Sequence, residues 1–179
     1  MKRVGIIGGG AVGLLLAGYL CRANFDVTVY TNTKEQADQL NVLGLTLRSN
    51  FIDYHLPVKS EPFADLNQLS ADYLFIAVKQ YHLKQLVPKL LLLPGNINSI
   101  IFMQNGMGHL SELEKFREKV DNLLVAIVEH GAMKEAQTSV SHTGVGEMKI
   151  GFYQKGEFSQ IIWDKLNAVD FQSLFIKVG

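Results

Sequence analysis

Apolar residues fall in two rhythms along this chain, and the switches between them predict its elements. Val4-Gly5-Ile6-Ile7 is a short apolar run, the pattern of a strand covered on both faces. Residues 11–22 carry leucines, alanines and Tyr19 all round, which predicts a packed helix. Val27-Thr28-Val29-Tyr30 is β-branched and aromatic and reads as a second strand. Residues 34–43 are amphipathic, with Ala37, Leu40 and Leu43 on one face. Strand, helix, strand, helix in that order implies a parallel sheet with right-handed crossovers.

Residues 45–58 break the alternation. Two short extended pieces flank Ser49-Asn50, so a hairpin insertion is expected. Alternation then returns as a buried strand over 73–78 and a helix over 80–92 that Pro88 kinks or ends. A strand over 98–103, a helix over 110–116 and a sixth parallel-type strand over 123–128 follow. Beyond them, residues 138–142 and 147–150 alternate around Thr143-Gly144-Val145-Gly146, which predicts antiparallel strands. A helix over 157–168 turns Ile161, Ile162, Leu166 and Val169 inward, and 171–178 forms a last strand. The expected architecture is one α/β domain over 1–179. It is a Rossmann-type, doubly wound, mainly parallel sheet with a few antiparallel strands toward the C-terminal end.

Composition narrows the picture chiefly by exclusion. Seventeen basic residues balance seventeen acidic ones, so the chain lacks the charge footprint of a nucleic-acid binder or a polybasic membrane surface. Cys21, alone of its type, forms no internal disulfide or thiolate cluster; it reads as a small buried hydrophobe in a reducing compartment. No uninterrupted apolar run of roughly 18 residues occurs, and Gly8-Gly9-Gly10 interrupts the N-terminal one. Neither a membrane span nor a signal peptide is expected, and the cytoplasm is the expected location. His55, His82, His109, His130 and His142 have no metal-like spacing, so no metal is expected. His130 is read as structural or at the surface.

Gly8-Gly9-Gly10-Ala11-Val12-Gly13 satisfies G-x-G-x-x-G between a buried strand and a helix. Gly8 would permit the tight turn off the strand, Gly10 would let backbone approach a pyrophosphate, and Gly13 would let the helix pack closely. The free amides and positive helix end attract phosphates, which favours a dinucleotide cradle over a structural turn. The second strand ends Tyr30-Thr31-Asn32-Thr33-Lys34, without the carboxylate that grips the ribose hydroxyls of NAD. NADP (NADPH) is favoured, with Thr31, Asn32 and Lys34 as donors to its 2′-phosphate. NAD stays open, because no arginine is present there.

Asn105-Gly106-Met107-Gly108, joined to the glycine loop and to Ala77-Val78-Lys79, resembles the ketopantoate reductase (2-dehydropantoate 2-reductase) family. His142-Thr143-Gly144-Val145-Gly146 and Ile150-Gly151 fit the later part of the same nucleotide domain, so the resemblance spans essentially the whole chain. It implies NADPH-dependent reduction of 2-dehydropantoate to pantoate, toward pantothenate and coenzyme A, with a small 2-keto acid as partner. It also implies that Lys79 lies against the nicotinamide end, that Asn105 touches cofactor and substrate, and that Ala132 lines the cofactor site. Lys79 and Asn105 would then orient the reactants. As residues alone they also read as a solvated helix-start lysine and a turn pair.

Two features depart from the family. An arginine common near the position of Asn32 is missing. The family's catalytic lysine belongs to a helical C-terminal domain; Lys165 comes too soon after Ile150-Gly151 and reads as a surface residue. The expectation is therefore a nucleotide-binding domain without that helical partner, binding NADPH without turning over ketopantoate. An exposed apolar face around Ile162, Phe171 and Phe175 would follow, and a homodimer is left open. A paralogous reductase of another 2-keto acid and a non-catalytic dinucleotide-binding module remain alternatives.

Overall fold

In a computed structural model, which describes residues 1–103 and 110–176, the glycine loop joins β1 (Arg3–Ile7) to α1 (Ala11–Arg22). Then come β2 (Asp26–Thr31), α2 (Lys34–Leu43), β3 (Leu45–Ser49), β4 (Ile52–Leu56) and β5 (Lys59–Pro62). The chain continues through β6 (Ala71–Ile76), α3 (Gln80–Leu92), β7 (Ile97–Phe102), α4 (Leu110–Glu114) and β8 (Asn122–Val128). It ends with β9 (Gly131–Ala136), β10 (Ser139–Gly144), β11 (Met148–Gln154), α5 (Ile161–Ala168) and β12 (Ser173–Phe175).

Eight strands form one sheet in the order β12-β11-β8-β7-β6-β1-β2-β5. Every neighbouring pair in it is parallel except β8 with β11. The chain leaves β1 for β2 on one side and returns to β6 on the other. The C-terminal ends of β1 and β6 therefore face a crevice where crossovers diverge, the place where open α/β sheets take ligands. The inner strands are buried on both faces, with Ile6, Leu74, Phe75, Ile100 and Ile101 fully inaccessible.

A second, four-stranded sheet of order β4-β3-β10-β9 lies against α1. It explains why α1 is apolar all round: the large sheet covers one side and the small sheet the other, and Gly13 through Leu20 are buried. At Gly18 an added Cβ would stand 3.0 Å from Leu47 of β3, so helix and strand approach closely. The expected hairpin is present as β3–β4, turning on Asn50 and Phe51 at φ 52 and 63.

Several expectations need correction. Residues 138–142 and 147–150 do not pair with each other: β10 pairs with β9 and β3, whereas β11 joins the large sheet beside β8. The physical reason is α1, whose second apolar side takes Val140 of β10 as a fully buried lid. Ile162 and Phe171, expected on an exposed face, are fully buried: Phe171 stacks on His130 at 4.2 Å, while Phe175 is half-buried against Phe152 at 5.5 Å and the exposed apolar residues beside them are Ile161, Leu174 and Ile176. Ile161 and Leu43, expected inward, face solvent. The helix over 80–92 continues through Pro88, which lies on its exposed side as does Lys84 one turn earlier. Cys21 is partly buried against the core, and desolvation pushes its thiol up to about 12. Among the described residues no helix is long and apolar enough to cross a membrane.

A polar chain ties the two sheets together where residues 129–130 and 145–147 pass between them. His130 Nε2 meets Gln172 O at 3.0 Å, and a carbonyl only accepts, so that nitrogen carries the proton. His130 Nδ1 then accepts from Gly146 N at 3.2 Å and from His142 Nε2 at 3.1 Å. His142 Nδ1 in turn accepts from the Tyr19 hydroxyl, which accepts from Ser49 Oγ at 2.8 Å. Burial, then the neighbouring His130, holds His142 below the ordinary imidazole range.

Candidate functional site

At the exit of β1 three backbone segments crowd together, and glycine is the residue that lets them. Gly8 takes φ +121, and a Cβ on it would stand 2.6 Å from Ala77 O at the end of β6. A Cβ on Gly13 would overlap the Gly8 carbonyl. Gly10 is different: a Cβ there meets nothing within 4 Å. It caps α1 without a side-chain hydrogen bond, and no acidic residue occupies the first turn. Among the described residues the first amides of this helix end have no partner and face open space, the arrangement that accepts a phosphate.

That space is a cleft of about 500 Å³ at the C-terminal ends of β1, β2 and β6. Its described lining contains no aspartate or glutamate and three lysines, Lys79, Lys89 and Lys134. Such a donor set suits an anionic ligand. Lys89 is already engaged, donating to Phe63 O at 2.6 Å and Ala64 O at 2.8 Å. Lys79 is the N-cap residue of α3. Lys134 stands on β9 across the cleft, where desolvation holds its ammonium below the usual lysine range.

The cleft gathers Gly8, Gly9, Gly10, Thr31, Asn32 and Lys79 along its walls. Ala11 and Val12 sit in the first turn of α1, and Gly13 is buried behind them. Thr31 does not offer its proton to a ligand: it is 1% exposed and its hydroxyl donates to Thr33 O at 2.6 Å. Lys34 points along α2 into an ion pair with Asp38 at 2.8 Å and is absent from the described lining. Ala132 packs against the core opposite His142 rather than on the described cleft wall. Asn105 and the Asn105-Gly106-Met107-Gly108 element lie outside the described residues. Lys165 rests its ammonium over the Phe25 ring at 5.3 Å, away from this cleft.

Among the wall residues that escaped the sequence reading, Gln36 and Lys134 matter most. Gln36 holds the loop, donating from Nε2 to Gly9 O at 2.8 Å and to Gln137 O at 3.0 Å. A signal for it exists in Thr33-x-x-Gln36, the spacing of a capping box, and Thr33 Oγ1 does accept from Gln36 N at 3.2 Å. Lys134 had no signal, because β9 shows no apolar alternation.

A mainly parallel, doubly wound sheet with a glycine cradle at its switch point defines the class of Rossmann-type nucleotide folds. Residues 4–155 match the family model described as Ketopantoate reductase PanE/ApbA, and the chain belongs to that family of dinucleotide-dependent reductases. It is 38% identical over 161 residues to a 2-dehydropantoate 2-reductase of Listeria monocytogenes, covering 89% of this chain and 53% of the relative. Identity to the Bacillus subtilis 2-dehydropantoate 2-reductase is 37% over 155 residues, covering 87% and 50%. The chain thus spans about half the length of the curated relatives it matches. A solved structure described as probable 2-dehydropantoate 2-reductase panE from Bacillus subtilis superposes with TM-score 0.81 at 34% identity, over 98% of this chain and 58% of that one. D-mandelate dehydrogenase, solved with NADH and anilino(oxo)acetate, superposes with TM-score 0.84 at 19% identity, over 97% and 56%, a likeness of fold alone.

Proposed function

We propose that this chain is the nucleotide-binding part of an NADPH-dependent reductase that converts 2-dehydropantoate to pantoate in the cytoplasm. The observation that carries the reading is the carboxylate-free, lysine-lined cleft at the open end of α1 in a chain of this family. The residues fit the cofactor: Gly10 leaves room where backbone would meet a pyrophosphate, and Asn32 at the end of β2 is neutral.

A bound nicotinamide would supply the hydride for the keto carbon. The chain's own residues bind and orient. The amides that open α1 hold phosphate, Gly8 and Gly13 fix the angle of that helix end, and Gln36 keeps the loop from shifting. Lys79 places an ammonium at the mouth of α3, where it balances the carboxylate of a 2-keto acid or the cofactor's phosphates. In this reading Asn105 orients both cofactor and substrate, its amide serving as donor and acceptor. The general acid and most substrate contacts are assigned to a segment outside these 179 residues.

Titration of the 179-residue chain with NADPH and NADH, followed by cofactor fluorescence, tests the binding half. Saturable binding with NADPH the tighter is expected, and no binding of either cofactor would overturn the reading. Incubation with NADPH and ketopantoate tests the other half, with no steady turnover expected. Robust turnover would move the general acid into this chain.

A further inference from the structure

The connection from β2 to α2 offers no free charge to a group on the adenosine ribose. Asn32 is neutral, Lys34 is held by Asp38 at 2.8 Å, and the Thr31 hydroxyl proton goes to Thr33 O. The opposite wall of the cleft does offer one. On β9, Lys134 lies opposite Val140 and Ala132 opposite His142. Val140 is fully buried and His142 bonds Tyr19 of α1, so this face of β9 is turned toward α1. Glu135 looks away, accepting from Ser141 Oγ at 2.9 Å.

Gln36 then fixes which end of the cleft Lys134 serves. Its amide bonds both Gly9 O and Gln137 O, so the turn that closes β9 is held against the glycine loop and the first turn of α2. In Rossmann-type sites that corner, beside the end of the second strand, receives the adenosine ribose. Lys134 lines the cleft with Asn32 and Gln36, and its ammonium has no hydrogen-bond or ion-pair partner among the described residues. Lys89 shows what an engaged lysine looks like in the same cleft, with two carbonyls on its Nζ.

We infer that Lys134 reads the 2′-phosphate of NADPH, so that selectivity over NADH comes from β9 rather than from the end of β2. The inference rests on the dinucleotide reading above. Its physical content is a charge-assisted hydrogen bond that exists for one cofactor only, because NADH presents a neutral hydroxyl at that carbon. A lysine bound to the pyrophosphate would serve both cofactors alike.

The experiment measures dissociation constants for NADPH and NADH on the 179-residue chain, on Lys134→Gln and on Lys134→Arg, at low and high salt. Lys134→Gln is expected to weaken NADPH about tenfold and leave NADH unchanged. The salt dependence of NADPH binding should flatten in the same variant, and Lys134→Arg should keep the preference. Equal weakening of both cofactors would assign Lys134 to the pyrophosphate and overturn the inference. So would an unaltered NADPH preference in Lys134→Gln, which leaves the dinucleotide reading standing. An unsubstituted chain that binds the two cofactors equally would overturn this inference through the NADP reading beneath it.

Discussion

The two sheets of this protein are held together by different physics. The eight-stranded sheet buries apolar side chains on both faces, and Phe75, Ile100 and Ile101 in its middle are fully inaccessible. The four-stranded sheet has one covered face, and its outer residues, such as Phe51, Ile52 and Met133, are exposed. It draws its strands from segments 45–56 and 131–144, far apart in the chain. What fastens it is apolar cover over α1 plus polar bridges: the Tyr19–His142–His130 chain at one end and Gln36 at the other. The first sheet is stable because of area, the second because of a few well-placed atoms. Ligand-facing parts of the cleft come from both.

The contrast can be broken most strongly in the large sheet. Phe75→Ala empties a fully buried site between the layers and is expected to cost about 3–5 kcal/mol. Urea unfolding followed by circular dichroism reads it, and a loss under about 1 kcal/mol would mean the layer collapses easily around the gap. Next comes the polar fastening. Tyr19→Phe keeps the ring but leaves His142 Nδ1 without its donor and Ser49 Oγ without its acceptor, an expected cost of about 1–3 kcal/mol. An unchanged midpoint would show that the small sheet does not depend on this hydroxyl.

The mildest perturbation is acid. His142 is held below its ordinary range by burial and then by His130, so the unfolded chain binds a proton more tightly than the folded one. The folded state therefore loses stability as pH falls through the ordinary imidazole value of about 6.5 toward the lowered one. The bonding pattern gives the same sign. A proton on His142 Nδ1 would displace the Tyr19 donor. Melting temperatures at about pH 7.5 and about pH 5.5 should differ in the parent chain and converge in His142→Gln. Equal melting temperatures in the parent would remove His142 from the account.

Legibility in the sequence follows the same division. β1, β6, β7 and β8 announce themselves because burial on both faces demands unbroken apolar runs. The glycine loop was legible because two of its positions, Gly8 and Gly13, answer to backbone crowding that a Cβ would violate. β5 was invisible: Lys59-Ser60-Glu61-Pro62 is polar and is held by Asn41, whose amide bonds both Ser60 N and Ser60 O at 2.9 Å. β9 was invisible too, since four of its six residues are exposed and its place is set by strands that arrive from elsewhere. Lys134 inherits that silence. Its meaning depends on which face of β9 meets α1, which is decided by pairing with β10 rather than by any local pattern. Lys34 is the opposite case: the sequence offers its charge plainly, and in the structure that charge pairs with Asp38 one turn along the helix.

Gln36 constrains which residue can occupy its position. Position 36 stands three residues into α2 from its Thr33 cap, where glutamate would serve the helix as well as glutamine does. Yet the glutamine presents both amide protons to two carbonyls, one in the glycine loop and one in the small sheet. A carboxylate has no protons to give and would set its negative charge against both carbonyl oxygens. The local code admits two letters at this position, and the tertiary structure admits one.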